Sequence, residues 1–253
     1  MSHPAPTESP RLLPLGDAAW TVELGRAISV PLNTRVRHLA DRLAVIRTTD
    51  PLWAPVTDVV PTFRSLTIHF DPLRADAEAL GQQLLALAQE DAAPVQTGRC
   101  WHLPVCFDPE FAPDLPHVAQ RRHLSESEVV RDLLAATFHV HMIGFLPGFP
   151  YMGGLPPQLA MPRLASPRAR VPAQSVAIAG EMCAVYPWDS PGGWNLLGRT
   201  AVPMFDPGEP EQPALLAAGD QVNWYAVSRN EHERLREQLQ RGERSRATFM
   251  GTT

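Results

Sequence analysis

The segment from His141 to Thr200 holds most of the residues in this chain that could do chemistry. Within it the run PRLASPRAR sets Arg163, Arg168 and Arg170 among prolines, which keep the chain extended. Arg168 and Arg170, two apart, are predicted to point to one side of a strand-like stretch and make a small cationic face. Guanidinium groups offer planar donor forks that match a carboxylate or a phosphate, and Arg199 adds a fourth. The alternative use of these arginines is a solvated rim or a subunit interface. Glycines at 144, 148, 153, 154, 192, 193 and 198 serve turns first and close approach of a ligand second. Tyr186 and Trp194 can stack on a ligand or plug the mouth of a barrel. His139 and His141 share strand parity just ahead of the glycine run. His141 is either a satisfied structural histidine or a proton-transfer or ligand residue.

Other chemistry is weaker. Cys100, His102 and Cys106 share strand parity, but no second Cys/His pair completes a tetrahedral site, so they read as buried strand residues and no metal is assigned. The run SPGGW around Ser190 lacks the GxSxG elbow of a hydrolase, so Ser190 is not taken as a nucleophile.

Composition sets limits. The chain has 253 residues, enough for one large domain or two small ones. Its 27 acidic residues outnumber 22 basic ones, which argues against a nucleic-acid partner. Every basic residue is Arg and none is Lys, which removes both a Schiff-base lysine and the GxxxxGK[ST] phosphate loop. Three cysteines are too few for a disulfide framework and suggest a reducing compartment. No apolar run approaches the roughly 20 residues that cross a bilayer. The opening MSHPAPTESP is polar and proline-rich and reads as a disordered cytoplasmic lead over residues 1–10.

These residues need elements to position them, and the chain divides into two unlike halves. Residues 11–92 predict an α+β domain in the order β-β-α-β-β-α. Strands are expected at Arg11 to Leu15, Ala19 to Leu24, Val56 to Val60 and Ser65 to Phe70. One helix runs from Asn33 to about Ile46, and a second starts at Asp71-Pro72 and carries Leu80, Leu84, Leu87 and Ala88 at helical spacing. A linker is placed at 93–98, around Pro94. Residues 99–228 predict an all-β domain. Its strands are expected at Arg99 to Val105, His139 to Ile143, Ser175 to Ala179, Met182 to Tyr186, Ala201 to Phe205 and Gln221 to Val227. One helix interrupts them, where Ser125-x-x-Glu128 is a capping box. So many short strands argue for a closed or nearly closed barrel. Residues 229–253, charged and poor in apolar side chains, are expected to form a solvated helix or mobile tail.

Three runs, GFLPGFPYMGGL, PRLASPRARVP and YPWDSPGGWNLLGRT, resemble hallmark runs of the KipI and PxpB family. That family is also known as allophanate hydrolase subunit 1, or subdomains C and D of the carboxyltransferase module of urea carboxylase. LGDAAW near Gly16 and VVPTFRSLTIHFDP from Val59 to Pro72 fit the same pattern, so the resemblance extends from about Leu12 to about Val227. Gln174 stands where the family usually has glycine. Glu181, Met182, Cys183 and Ala184 replace a stretch usually richer in glycine and polar residues.

The resemblance implies that the barrel is cyclophilin-like and that the chain is the B subunit of a 5-oxoprolinase. Such a subunit works with a KipA-like C subunit and a LamB/YcsF-like A subunit, using ATP and Mg²⁺ to phosphorylate the lactam oxygen before opening to glutamate. Catalytic roles then fall to His141, Arg168 and Arg170. Substrate or nucleotide binding falls to Gly148, Arg163, Tyr186, Gly192, Gly193, Trp194 and Arg199. Two other family roles are inhibition of a sporulation histidine kinase and a place in urea or allophanate metabolism.

Overall fold

The computed structural model describes residues 9–90 and 98–251 and divides into two compact units, with the boundary between 96 and 97. The expected lead therefore lies largely, and the linker almost wholly, outside the described residues.

In the first unit β1 (Arg11–Pro14) and β2 (Ala19–Glu23) precede helix α1 (Val30–Ile46), and β3 (Val56–Pro61) and β4 (Ser65–Phe70) precede α2 (Ala77–Gln89). The strands form one antiparallel sheet in the order β1-β2-β4-β3. Val36, Leu39 and Leu43 of α1 and Leu80 and Leu84 of α2 recur at helical spacing and pack with Val22, Leu66 and Ile68. α1 starts three residues before the expected Asn33, because Ser29 caps it and Pro31 suits its first turn. α2 starts later than expected. Asp71-Pro72 instead makes a turn in which the Asp71 carbonyl accepts from the Arg74 and Ala75 N–H groups, and Asp76 caps the helix by accepting from Ala79 N at 3.0 Å.

The second unit contains β5 (Cys100–Val105), α3 (Leu115–Arg122), α4 (Glu126–Ala135), β6 (Thr137–Ile143), β7 (Pro150–Gly153), β8 (Arg168–Val171), β9 (Ser175–Ala179), β10 (Met182–Val185), β11 (Ser190–Gly192), β12 (Asn195–Arg199), β13 (Gln221–Ala226) and α5 (Arg229–Gln240). Seven strands make a mixed sheet in the order β12-β9-β10-β7-β6-β13-β5, while β8 and β11 form a two-stranded ribbon. The sheet curls until its two edges meet at one antiparallel bridge, where Cys106 and Arg199 exchange backbone hydrogen bonds of 2.9 and 3.0 Å. Along β9 every residue is buried, because alternate side chains serve different cores. Val176 and Ile178 join the larger core with Leu133 and Val118 of the helices, and Ala177 and Ala179 join a smaller one around Phe149, Tyr186 and Trp194.

Several expectations are corrected here. The unit is mixed rather than all-β, because α3, α4 and α5 cover its sheet; the capping box at Ser125 and Glu128 is formed. Ala201 to Phe205 is no strand. Pro203 has no N–H for a ladder, and the run folds as a buried loop that pairs Met204 O with Leu215 N at 2.8 Å. Nor is the segment after Arg229 a separate tail. His232 and Leu235 of α5 are buried, Phe249 enters the core, and buried Arg246 bonds Glu209 and three backbone carbonyls. The charged residues occupy the outer face of a helix whose inner face is packed. Among the described residues no helix is long and apolar enough to cross a membrane.

Candidate functional site

The smaller core of the second unit opens into a cavity of about 450 Å³. After the glycine turn, Phe149 and Tyr151 lie two apart at the start of β7 and face the cavity, while Met152 beside them enters the larger core. Phe149 is the hub of an aromatic cluster, with edge-on contacts to Tyr186 at 5.2 Å and Trp194 at 5.9 Å and a tilted contact to Tyr151 at 5.0 Å. Edge-to-face packing of this kind fixes ring orientation better than burial alone. Tyr186 follows β10, and Trp194 precedes β12, so the sheet's curl rather than sequence proximity joins them. Burial raises the phenol pKa of both Tyr151 and Tyr186, so both remain neutral donors at neutral pH.

The β11 side of the wall carries Ser190, Gly192 and Gly193. A side chain at Gly192 would put its Cβ 2.2 Å from the Tyr186 hydroxyl, so glycine there is what allows the phenol to reach the wall. Ser190 is buried and its hydroxyl has no hydrogen-bond partner among the described residues. Among the described residues Arg163 is the one charged side chain in the lining, and its guanidinium carbon lies 5.8 Å from the Trp194 ring centroid. At the rim Phe145 is 63% exposed and holds φ at 69°, an unusual conformation for a bulky side chain, with its ring edge-on to Phe149.

Of the residues expected at a site, Arg163, Tyr186, Gly192, Gly193 and Trp194 line this cavity together. The others lie outside its lining. The expected cationic face does not form, because Arg168 and Arg170 are each committed to a carboxylate. Arg168 donates to Asp114 at 2.6 Å, and the second Asp114 oxygen accepts from Leu196 N at 2.7 Å, which ties β8, the start of α3 and β12 together. Arg170 donates twice to Asp189, whose other oxygen accepts from Ala173 N at 2.7 Å. Those contacts, the Ala173 N–H first, hold the Asp189 carboxyl below its ordinary pKa.

Arg199 stacks on Phe111 at 4.5 Å, and burial lowers its pKa. Gly148, at φ 78°, packs against Phe205 and Met204. His141 is buried on β6 over Gly153, where a Cβ would fall 2.3 Å from its Nε2. Burial, and then nearby His139, lower its pKa and keep the imidazole neutral. Cys100 Sγ lies 3.9 Å from His102 Nε2, and Cys106 is a buried thiol whose pKa burial raises. Among the described residues no three His, Cys, Asp or Glu side chains group as a metal site requires.

Phe145, Phe149, Tyr151 and Ser190, which also line the cavity, are not among the residues expected at a site. The alternation of Phe149 and Tyr151 just after a glycine turn was the available signal. Nothing in the spacing of Ser190 marked it.

Two bacterial proteins match this chain over nearly their whole length. The B subunit of the Bacillus subtilis 5-oxoprolinase is 33% identical over 238 residues, covering 88% of this chain and 95% of that protein. Its counterpart from Escherichia coli O157:H7 is 36% identical over 211 residues, covering 83% and 93%. The crystal structure of the K. lactis urea amidolyase superposes with a TM-score of 0.78 at 23% identity, covering 94% of this chain and 16% of that one, which establishes likeness of fold. Residues 10–216 match the family described as carboxyltransferase domain, subdomain C and D, and this chain belongs to that family.

Proposed function

We propose that this chain is the B subunit of a 5-oxoprolinase, acting with a KipA-like C subunit and a LamB/YcsF-like A subunit to open 5-oxo-L-proline to L-glutamate with ATP hydrolysis. The reading is carried by the two relatives named as the B subunits of 5-oxoprolinases, each matched over more than nine-tenths of its own length. The curled sheet, with edges joined at Cys106 and Arg199, we read as the cyclophilin-like barrel of that family. Three free cysteines suit a reducing cytoplasmic setting. The urea-metabolism reading rests on likeness of fold and on sequence matches that span at most 14% of those much longer proteins.

ATP and Mg²⁺ are the implied cofactors, and the cavity does not fit them. Among the described residues its lining offers one cation and no carboxylate, and the chain has no Lys. A magnesium nucleotide is held through carboxylates on the metal and several donors on the phosphates. No nucleotide step is therefore assigned to these residues. What they supply is an aromatic seat with neutral phenols and one guanidinium at its edge.

Co-expression with C and A subunits tests the reading by following glutamate and ADP. Glutamate formation is expected from the three-subunit mixture, with negligible ATP turnover by the isolated chain. A mixture that opens no 5-oxoproline would overturn the function, and oxoproline-dependent ATP hydrolysis by this chain alone would overturn the dependence on partners.

A further inference from the structure

We propose that the aromatic cavity seats the lactam substrate with Arg163 holding its carboxylate, and that the nucleotide's phosphates are held by a partner subunit. This rests on the functional reading above and adds a division of labour between subunits. It begins with charge. Arg168 and Arg170, the other arginines of the same run, have carboxylate partners. Among the described residues Arg163 has no ion pair, and none of the acidic ones lines the cavity to neutralise it. Its described interactions are with the face of Trp194 and, electrostatically, with the neutral phenols of Tyr151 and Tyr186; none is a carboxylate, which leaves the donor fork for a ligand.

One uncompensated guanidinium matches one carboxylate. 5-Oxoproline carries a single negative charge at neutral pH, on a nearly flat five-membered ring. The rings of Phe149, Tyr151, Tyr186 and Trp194 supply the apolar surface that such a ring body would cover. The lactam amide needs polar partners in that seat. Ser190, 8% exposed and with a hydroxyl that has no partner among the described residues, stands in the lining and is the group assigned to meet it. A triphosphate with its metal carries several charges and has no such match here. At about 450 Å³ the cavity is also larger than one small ring.

The test is the kinetics of the assembled three-subunit enzyme carrying Arg163→Gln, with Arg163→Lys as the charge-retaining control. Arg163 is exposed, so both variants are expected to keep the wild-type melting temperature and subunit assembly. Loss of a charge-assisted bidentate contact should raise KM for 5-oxoproline by roughly tenfold to a hundredfold and leave KM for ATP unchanged, with the Lys variant in between. The uncharged 5-oxoprolinamide should be a poor substrate whose KM is insensitive to Arg163→Gln. A working complex in which Arg163→Gln raises KM for ATP instead, or changes neither constant, overturns the assignment and leaves the functional reading standing. A wild-type complex that opens no 5-oxoproline overturns the functional reading and, with it, this inference.

Discussion

Gln174 holds φ at 59°, the left-handed region, in the turn before β9. Its N–H donates to Tyr186 O at 2.6 Å and its carbonyl accepts from Thr200 N at 3.0 Å, so the backbone is pinned there whatever the side chain. A non-glycine residue in this region costs on the order of 1 kcal/mol, and glycine loses a comparable amount through extra freedom in the unfolded chain. Gln174→Gly is therefore expected to change unfolding free energy by less than about 1 kcal/mol, in the stabilising direction if strain outweighs entropy. Urea denaturation measures it, and a larger loss would mean that the side chain makes a native contact. Sequence reading located this residue because an expected glycine was missing. It could not locate Phe145, whose equally positive φ follows from the loop around it and leaves no mark in residue type.

At the scale of elements, the Arg168–Asp114 pair is a tie between β8, the start of α3 and β12, and its consequence is mainly structural. Asp114 is buried and already serves the Leu196 N–H, so removing Arg168 leaves a poorly compensated carboxylate. The Arg168 side chain keeps 30% of its exposure, so solvent screens part of that penalty. Arg168→Ala should lower stability by about 1–3 kcal/mol, with Arg168→Lys recovering much of it, since a single Nη2 contact is made. In the assembled enzyme KM for both substrates should hold once the variant is folded. A large fall in turnover without a fall in melting temperature would return Arg168 to the reacting groups. Elements whose own residues specify them were legible, such as Ser65–Phe70 by alternation and α4 by its capping box. Arg168 and Asp114 are 54 residues apart, and no local pattern announces their meeting. The same holds for the cavity, whose walls come from separate stretches joined only by the curl of the sheet.

For the whole second unit, three histidines shielded from water contribute to the response to acid. His139, His141 and His232 all have pKa values lowered from the ordinary 6.5, with burial the leading cause in each. In the unfolded chain these rings take up protons near that value, whereas in the folded protein they resist until lower pH. Between the two the unfolded state binds more protons, so stability is full above about pH 6.5 and is lost as pH falls through the folded values. Melting temperature is expected to be flat from pH 7 to 8 and to fall steadily below about 6.5. His141→Gln should make the acid limb shallower, and an unchanged limb in that variant would show that carboxylate protonation elsewhere dominates.

The parallel pairing of β5 with β13, in register from Cys100–Gln221 to Val105–Ala226, bears on how the protein comes into being. The first strand of the second unit waits for the last one, some 120 residues later, and Gly251 then donates to Cys100 O at 2.8 Å. A chain emerging from the ribosome at about 5–20 residues per second exposes β5 for many seconds before its partner exists. Closing so long a loop is slow, so β5 stays without its β13 partner well after it is made. Until the two pair, Trp101, Leu103 and Val105, buried when folded, are accessible to whatever holds nascent chains apart.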